Sequence, residues 1–283
     1  MFKYKALKVQ EEDAALPRDR KELFKIILKD DFYLLAELSI FGFLFSLPLA
    51  IGFIAELLFL GGVGKSDPAQ VFSICFYFGL MEIPLFGVRY IGRYALFGVM
   101  KKRVHNEAGD IKVLFFDSLK KGSLRAFFLG CILGIVVFVW QIASVFVIVF
   151  NTNDVVRGVG VGGASLLFLI VFASCESFLA VDNFYVLPFG GSLKNGFSFA
   201  FAAFPLAILY FIVSMVIPLV LTLLSIYSLV AISALWALWF DAVTVLAVTL
   251  YSHKQFDKYI NSIYYIDYIN KGLSVKEKEK NDG

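Results

Sequence analysis

What most constrains this chain is how many uninterrupted apolar runs it contains that are long enough to cross a lipid bilayer. About 20 apolar residues of helix cover the hydrocarbon core. The sequence offers such runs at Phe32–Leu60, Ala69–Val88, Ala126–Phe150, Gly158–Val181, Phe199–Leu224 and Tyr227–Tyr251. The last two nearly abut. A single helix from Phe199 to Tyr251 would run to about 80 Å at 1.5 Å per residue. That is more than twice a bilayer, so a reversal is expected near Ser225–Ser228, with Pro218 as the competing break. Composition agrees. Of the 283 residues 59% are hydrophobic and 17% charged, 32 are Phe, and the mean hydropathy is +0.79. Lipid can solvate such a surface and water cannot.

The placement of Lys and Arg gives the orientation. Eight precede the first span, nine lie in 89–125, and six follow residue 251; only Lys65, Arg157 and Lys194 fall elsewhere. In a six-span alternation the three rich segments share one side, and positive charge marks the cytoplasmic side. The expected fold is therefore an all-α polytopic transmembrane bundle of six spans in the cell membrane, with both termini inside. Its parts are a cytoplasmic N-terminal segment (1–31), a membrane domain (32–251) and a cytoplasmic tail (252–283) that is disordered from Ser274. The N-terminus does not read as a signal peptide, because its apolar run starts only after about thirty polar residues. Residues 20–29 are amphipathic, with Leu23, Ile26 and Ile27 on one face, and are expected to lie at the membrane surface. An ordinary solvated helix is the alternative.

Two stretches echo each other. Ser118-Leu-Lys-Lys-Gly-Ser-Leu-Arg-Ala-Phe precedes span three and Ser192-Leu-Lys-Asn-Gly-Phe-Ser-Phe-Ala-Phe precedes span five, with six of ten positions identical at an offset of 74. Each reads as a short amphipathic elbow with Gly at the bend. They are either parallel repeats or the common composition of a membrane entry. The stretch from Glu82, EIPLFGVRYIGRYALFGVMKKRVHNEAGDIKVLFFDSLKKGSLRAFFLGCILG, resembles the YesL family of bacterial membrane proteins. There a Pro-x-x-x-Gly turn precedes a helix, a charged segment and a Phe-Phe-x-x-x-Lys-Lys element. LPFGGSLKNGFSFAFAAFPLAIL is similar to the family's later elbow. The likeness covers about half the chain, which departs from the family in an added N-terminal span, a longer polar N-terminus and Leu85 in place of Thr after the proline. It implies an association with carbohydrate uptake and brings no catalytic residues.

Ionisable residues inside the membrane are the chemical lead, since each costs roughly 2.5–3.5 kcal/mol at a helix centre on insertion scales. Glu37 and Glu56, within about five residues of span ends, are expected to snorkel to the interface. Glu82, Glu176 and Asp241 lie deeper, Asp241 near the middle of span six. Glu82, Arg89 and Arg93 fall within about 20° of one helical face. This stripe, with Glu176 and Asp241, is the candidate intramembrane polar site, either a structural lock between helices or an ion or substrate pathway. Pro48, Pro84, Pro205 and Pro218 are read as kinks or as sources of free carbonyls.

Other chemistry is excluded or absent. Gly64-Lys65-Ser66 lacks the upstream glycine of a phosphate loop, Phe59 standing there. No Ser/His/Asp set, HExxH motif or acidic metal cluster appears, so no catalytic residue, cofactor or metal is expected. Cys75, Cys131 and Cys175 read as core residues. The basic loop 89–125 contains Glu107, Asp110 and Asp117 and faces anionic lipid, which makes nucleic acid a poor partner. The expected partners are the bilayer and a transporter or other membrane subunit. The function is read as an accessory or transport-related component for small-solute (carbohydrate) uptake and not as an enzyme, with a non-transporting membrane scaffold or subunit docking a partner through its basic cytoplasmic face as the alternative. Reporter fusions at residues 15, 110 and 270 are expected to report cytoplasm, and those at 65 and 154 the outside. An outside signal at 110 would put nine positive charges on the wrong side and overturn the orientation.

Overall fold

The computed structural model describes residues 16–63, 67–107, 109–150, 153–211 and 239–274. The described residues form α1 (Arg20–Asp30), α2 (Phe32–Gly62), α3 (Pro68–Val104), α4 (Ile111–Phe150), α5 (Asp154–Phe184), α6 (Phe189–Phe211) and α7 (Asp241–Phe256), with no β-strand among them. Of these, α2, α3, α4 and α5 are long and apolar enough to cross a membrane. Among the described residues the protein is all-helical, with four helices compatible with a membrane bundle. The first four expected spans fall inside these four helices. The fifth starts in α6 and runs past the described residues, and the reversal expected near Ser225–Ser228, Pro218 and the Gly64–Ser66 stretch lie outside them.

α3 is the central helix. Every residue from Gly92 to Met100 is buried, so no face is left to solvent there, the pattern of a helix enclosed on all sides. It packs on α2, α4, α5 and α7. The contact with α4 is made close by glycine. A Cβ on Gly130 would stand 2.4 Å from the Phe86 carbonyl oxygen, and one on Gly134 2.9 Å from the Ile83 Cα. Small residues of this kind let helices approach in lipid, where apolar burial gives no drive of its own. Outward-facing Leu44, Ile51, Leu58, Phe128, Ile135 and Phe146 are exposed, as a lipid-facing surface requires.

Several expectations are corrected. The segment 89–125 is not a loop. α3 continues to Val104 and α4 starts at Ile111, so the basic stretch is a helical hairpin, closed where Gly98 meets Ser118 and Gly122 meets the Tyr94 ring. The two echoed stretches are not bends either; each lies within an uninterrupted helix, α4 and α6. Their glycines serve close approach, Gly122 on Tyr94 of α3 and Gly196 on the Phe178 backbone of α5. Of the expected tail, 252–283, the described part reaches Ser274. α7 passes through a π-turn (Asp257–Asn261) and two short turns, and the Ser274 amide donates to the Pro17 carbonyl at 2.9 Å. Residues 275–283 lie outside the described residues.

α1 is amphipathic as expected, capped by Asp19, which accepts from the Lys21 and Glu22 amides. Its apolar face turns to protein: Leu23 and Ile27 are buried, and α1 packs against α7 and α2. Arg20 pairs with Asp257, Arg103 with Asp31, and Lys271 with Glu107 at 2.8 Å. These pairs gather the first turn of α1, the ends of α3 and α7 and the start of α2 at one end of the bundle. That end also holds His105 and His253, buried with ring centroids 5.4 Å apart. Burial foremost, with the His253 ring and nearby lysines, pushes His105 down to about 3. Burial likewise takes His253 to about 4. Both are neutral at physiological pH, and both must gain a proton on unfolding in mild acid. Their contribution to stability is present above the ordinary histidine value and is lost as pH falls towards those folded values.

Candidate functional site

The stripe predicted on α3 divides into two centres. Arg93, 2% exposed, is one. Its Nε donates to Glu176 Oε1 and Oε2 at 2.7 and 3.0 Å, and its Nη2 to Oε2 at 2.8 Å. Its Nη1 donates to Asp241 Oδ1 at 2.6 Å. Glu176 and Asp241 are each 5% exposed. The Tyr90 hydroxyl, one turn earlier on α3, donates to Glu176 Oε1 at 3.2 Å. A planar guanidinium with five donors can hold two carboxylates in this way, which an ammonium cannot. The clamp ties α3 to α5 and α7. α2 supplies its seat. The Ala242 amide donates to Ser39 Oγ at 3.0 Å, and a Cβ on Gly42 would come within 2.7 Å of Asp241 Oδ2.

A polar knot lies beside the clamp. Asp182 of α5 accepts from Tyr94 Oη at 3.1 Å, Arg125 Nη1 at 3.0 Å and Ser192 Oγ at 2.7 Å. It joins α3, α4 and α6 through one buried carboxylate. Gly196 packs on Phe178, two residues beyond Glu176, so the exposed Lys194 stands close below the level of Arg93. Exposed Arg125 stands there as well. The clamp thus lies near this basic rim of the bundle. Arg89 is half-buried and stays outside the clamp, making no ion pair among the described residues.

Glu82 is the other centre. It lies eleven residues from Arg93 along α3, about 16 Å at helical rise, on the side away from the basic rim. It is 2% exposed, and neither carboxylate oxygen has a hydrogen-bond partner. Its Oε1 lies 3.8 Å from where a Cβ on Gly52 would stand, and Gly52 is one turn before Glu56 on the same face of α2. Glu56 does not snorkel. It is 5% exposed and accepts from Gln141 Nε2 of α4. Its neighbourhood on α3 and α4 holds hydrogen-bonding groups that favour turning inward over reaching the interface. Gln141 Oε1 has no partner; it lies 3.2 Å from a Cβ built on Gly79, one turn from Glu82. Within 39–62, 68–88, 126–150, 158–175 and 195–211, Glu56 and Glu82 are the only Asp, Glu, Lys or Arg.

Among the described residues no group of three or more His, Cys, Asp and Glu could hold a metal ion. Cys75 and Cys175 are buried, Cys131 is half-buried, and all three are free thiols. No family model, curated protein or solved structure matches the chain.

Sequence reasoning reached Arg93, Glu176 and Asp241 through helical phase and depth. It missed Tyr90, Asp182 and Gln141. Asp182 lies one residue beyond the expected end of span four, and Gln141 is uncharged, so neither enters a search for ionisable residues within spans. A Gln one span away from an isolated Glu was the available signal. Arg93→Met is expected to strand two buried carboxylates and to cost about 3–5 kcal/mol, read as a lowered thermal midpoint in detergent micelles. Arg93→Lys should recover only part of this, because one ammonium does not reproduce the fork. Adding Glu176→Gln and Asp241→Asn to Arg93→Met should recover most of it. No loss in Arg93→Met would remove the clamp's structural role.

Proposed function

We propose that the chain is a six-span protein of the cell membrane, with both termini and the basic end of the bundle in the cytoplasm. We further propose that it is a non-enzymatic, transport-related component for small solutes, carbohydrates being the class suggested by the family resemblance. One observation carries this reading. Of the four described carboxylates buried within the expected spans, Glu176 and Asp241 are paired with Arg93, whereas Glu56 and Glu82 turn inward without a counter-charge among the described residues. Insertion of such groups is costly, and structural stability gains nothing from Glu82, which is left without a donor. Their presence is accounted for by a species that visits them.

A second reading, a scaffold that docks a partner, is favoured by a different observation. The Arg93 clamp is closed, with both carboxylates engaged. The end of the bundle also carries a cleft of about 540 Å³ lined by Lys254, Gln255, Asp257, Lys258 and Tyr259. The two readings separate experimentally. Uptake of a panel of labelled sugars and other small solutes would be measured in cells with and without the chain. Affinity purification in mild detergent would run alongside. The transport reading predicts that uptake of at least one solute falls by most of its value without the chain, or that a transporter co-purifies. Unchanged uptake across the panel, together with a stoichiometric complex that contains no transporter, would replace it with the scaffold.

A further inference from the structure

We propose that Glu82, Glu56 and Gln141 form a binding site for a single exchangeable proton, held between α2, α3 and α4 in the middle of the apolar band. It deepens the transport reading, on which its purpose as a coupling site rests; its test does not.

The hydrogen-bond inventory points to the ligand. Gln141 Nε2 donates to Glu56 Oε1, which fixes the amide so that its Oε1 faces α3. Glu82 Oε1, Glu82 Oε2 and Gln141 Oε1 are then acceptors, all buried and all without a donor. One proton changes this. Taken from water onto a Glu82 carboxylate oxygen, it makes an O–H bond and gives the site the donor it lacks. The pair's charge goes from two negatives to one, no electron moves, and release returns the proton to water. Two carboxylates in one dry site share a proton for this reason, since both cannot remain ionised at low energetic cost.

The surroundings make a proton a better ligand than a metal ion. From α2 the site is faced by Glu56 alone among titratable groups. From α4 it is faced by Gln141. On α3 itself Cys75 lies two turns earlier, beside Glu56 and Gln141, and Arg89 lies two turns later, towards the clamp. Two carboxylates with one amide oxygen fall short of the six to eight oxygens a calcium ion takes.

The experiment measures the thermal midpoint of the purified full-length protein in detergent from about pH 6 to about pH 9. Wild type is compared with Glu82→Gln, which keeps the shape of the protonated acid and cannot titrate. The site predicts that the wild-type midpoint falls by about 3 °C or more relative to Glu82→Gln as pH rises. A group stabilised in its protonated form contributes below its folded value and loses that contribution above it. The buried histidines act on the acid limb, on the opposite side. Parallel profiles for the two proteins would overturn the proposal. So would a rise of the wild-type midpoint in sodium over choline buffer that Glu82→Gln lacks, since that would make the ligand an alkali ion. Should Glu82→Gln fail to fold, infrared spectra of wild type alone decide. A carboxylic-acid carbonyl band that fades with rising pH supports the site, and a spectrum without one contradicts it.

Discussion

Arg93 is the residue through which three helices of this protein are held in register. A guanidinium removed from water is tolerated only when its charge and its directed N–H groups are met. Here Glu176 takes one edge of the fork and Asp241 the other. Because the two acceptors belong to α5 and α7, the requirement of one side chain sets the axial position of both helices against α3. The rest of the inner half follows from this. Gly42 has to be a glycine where α2 passes the second Asp241 oxygen, and Ser39 has to offer an oxygen to the Ala242 amide. Asp182, a turn and a half beyond Glu176 on α5, repeats the arrangement with neutral and charged donors and brings α4 and α6 into the same frame.

The clamp and the Glu82 centre sit on one helix and obey opposite chemistry. At the clamp the donors are sufficient, the carboxylates are engaged and nothing is left for a visitor to satisfy. At Glu82 the acceptors outnumber the donors, and the side chain is buried all the same. Their separation of about 16 Å is roughly half the thickness of a hydrocarbon core. With Arg125 and Lys194 exposed near the clamp, that distance sets the Glu82 centre well away from the basic end of the bundle; in the proposed orientation the clamp falls at the cytoplasmic edge and Glu82 near the middle. A lock belongs where helices must be aligned on entry to the bilayer. A site that exchanges a small ion belongs where both faces of the membrane are comparably near.

Helical phase and hydropathy made the all-helical membrane fold legible, because apolar runs of bilayer length have few other stable forms. The same phase grouped Arg93 with Glu82 and Arg89, and depth within the spans brought Glu176 and Asp241 under suspicion as their partners. What stayed hidden depends on contacts between distant segments. Glu56 lies near a span end, and nothing local says that Gln141 waits for it on α4. The basic stretch 89–125 has the charge of a loop, yet Tyr94–Met100 within it is buried on every side, and that burial is visible only once four helices surround it. The glycines of the echoed stretches suggested bends because glycine permits them. Their actual use, close approach to Tyr94 and to Phe178, requires knowing the neighbour. The placement of 252–274 likewise rests on Arg20, Glu107 and Pro17 from elsewhere in the chain.

The central claim is the level of the two centres in the bilayer, and depth along the lipid-facing surface tests it most directly. Nitroxide labels placed at Leu124, beside Arg125, and at Met81, beside Glu82, both exposed on the outer surface, report depth through accessibility to oxygen against a water-soluble relaxant. Reconstituted in lipid, the Met81 label is predicted to be the deeper, close to the bilayer centre. The Leu124 label is predicted to lie among the headgroups. A Leu124 label near the centre with Met81 at an interface would place the Arg93 clamp in mid-membrane and Glu82 at its edge, and would contradict the account.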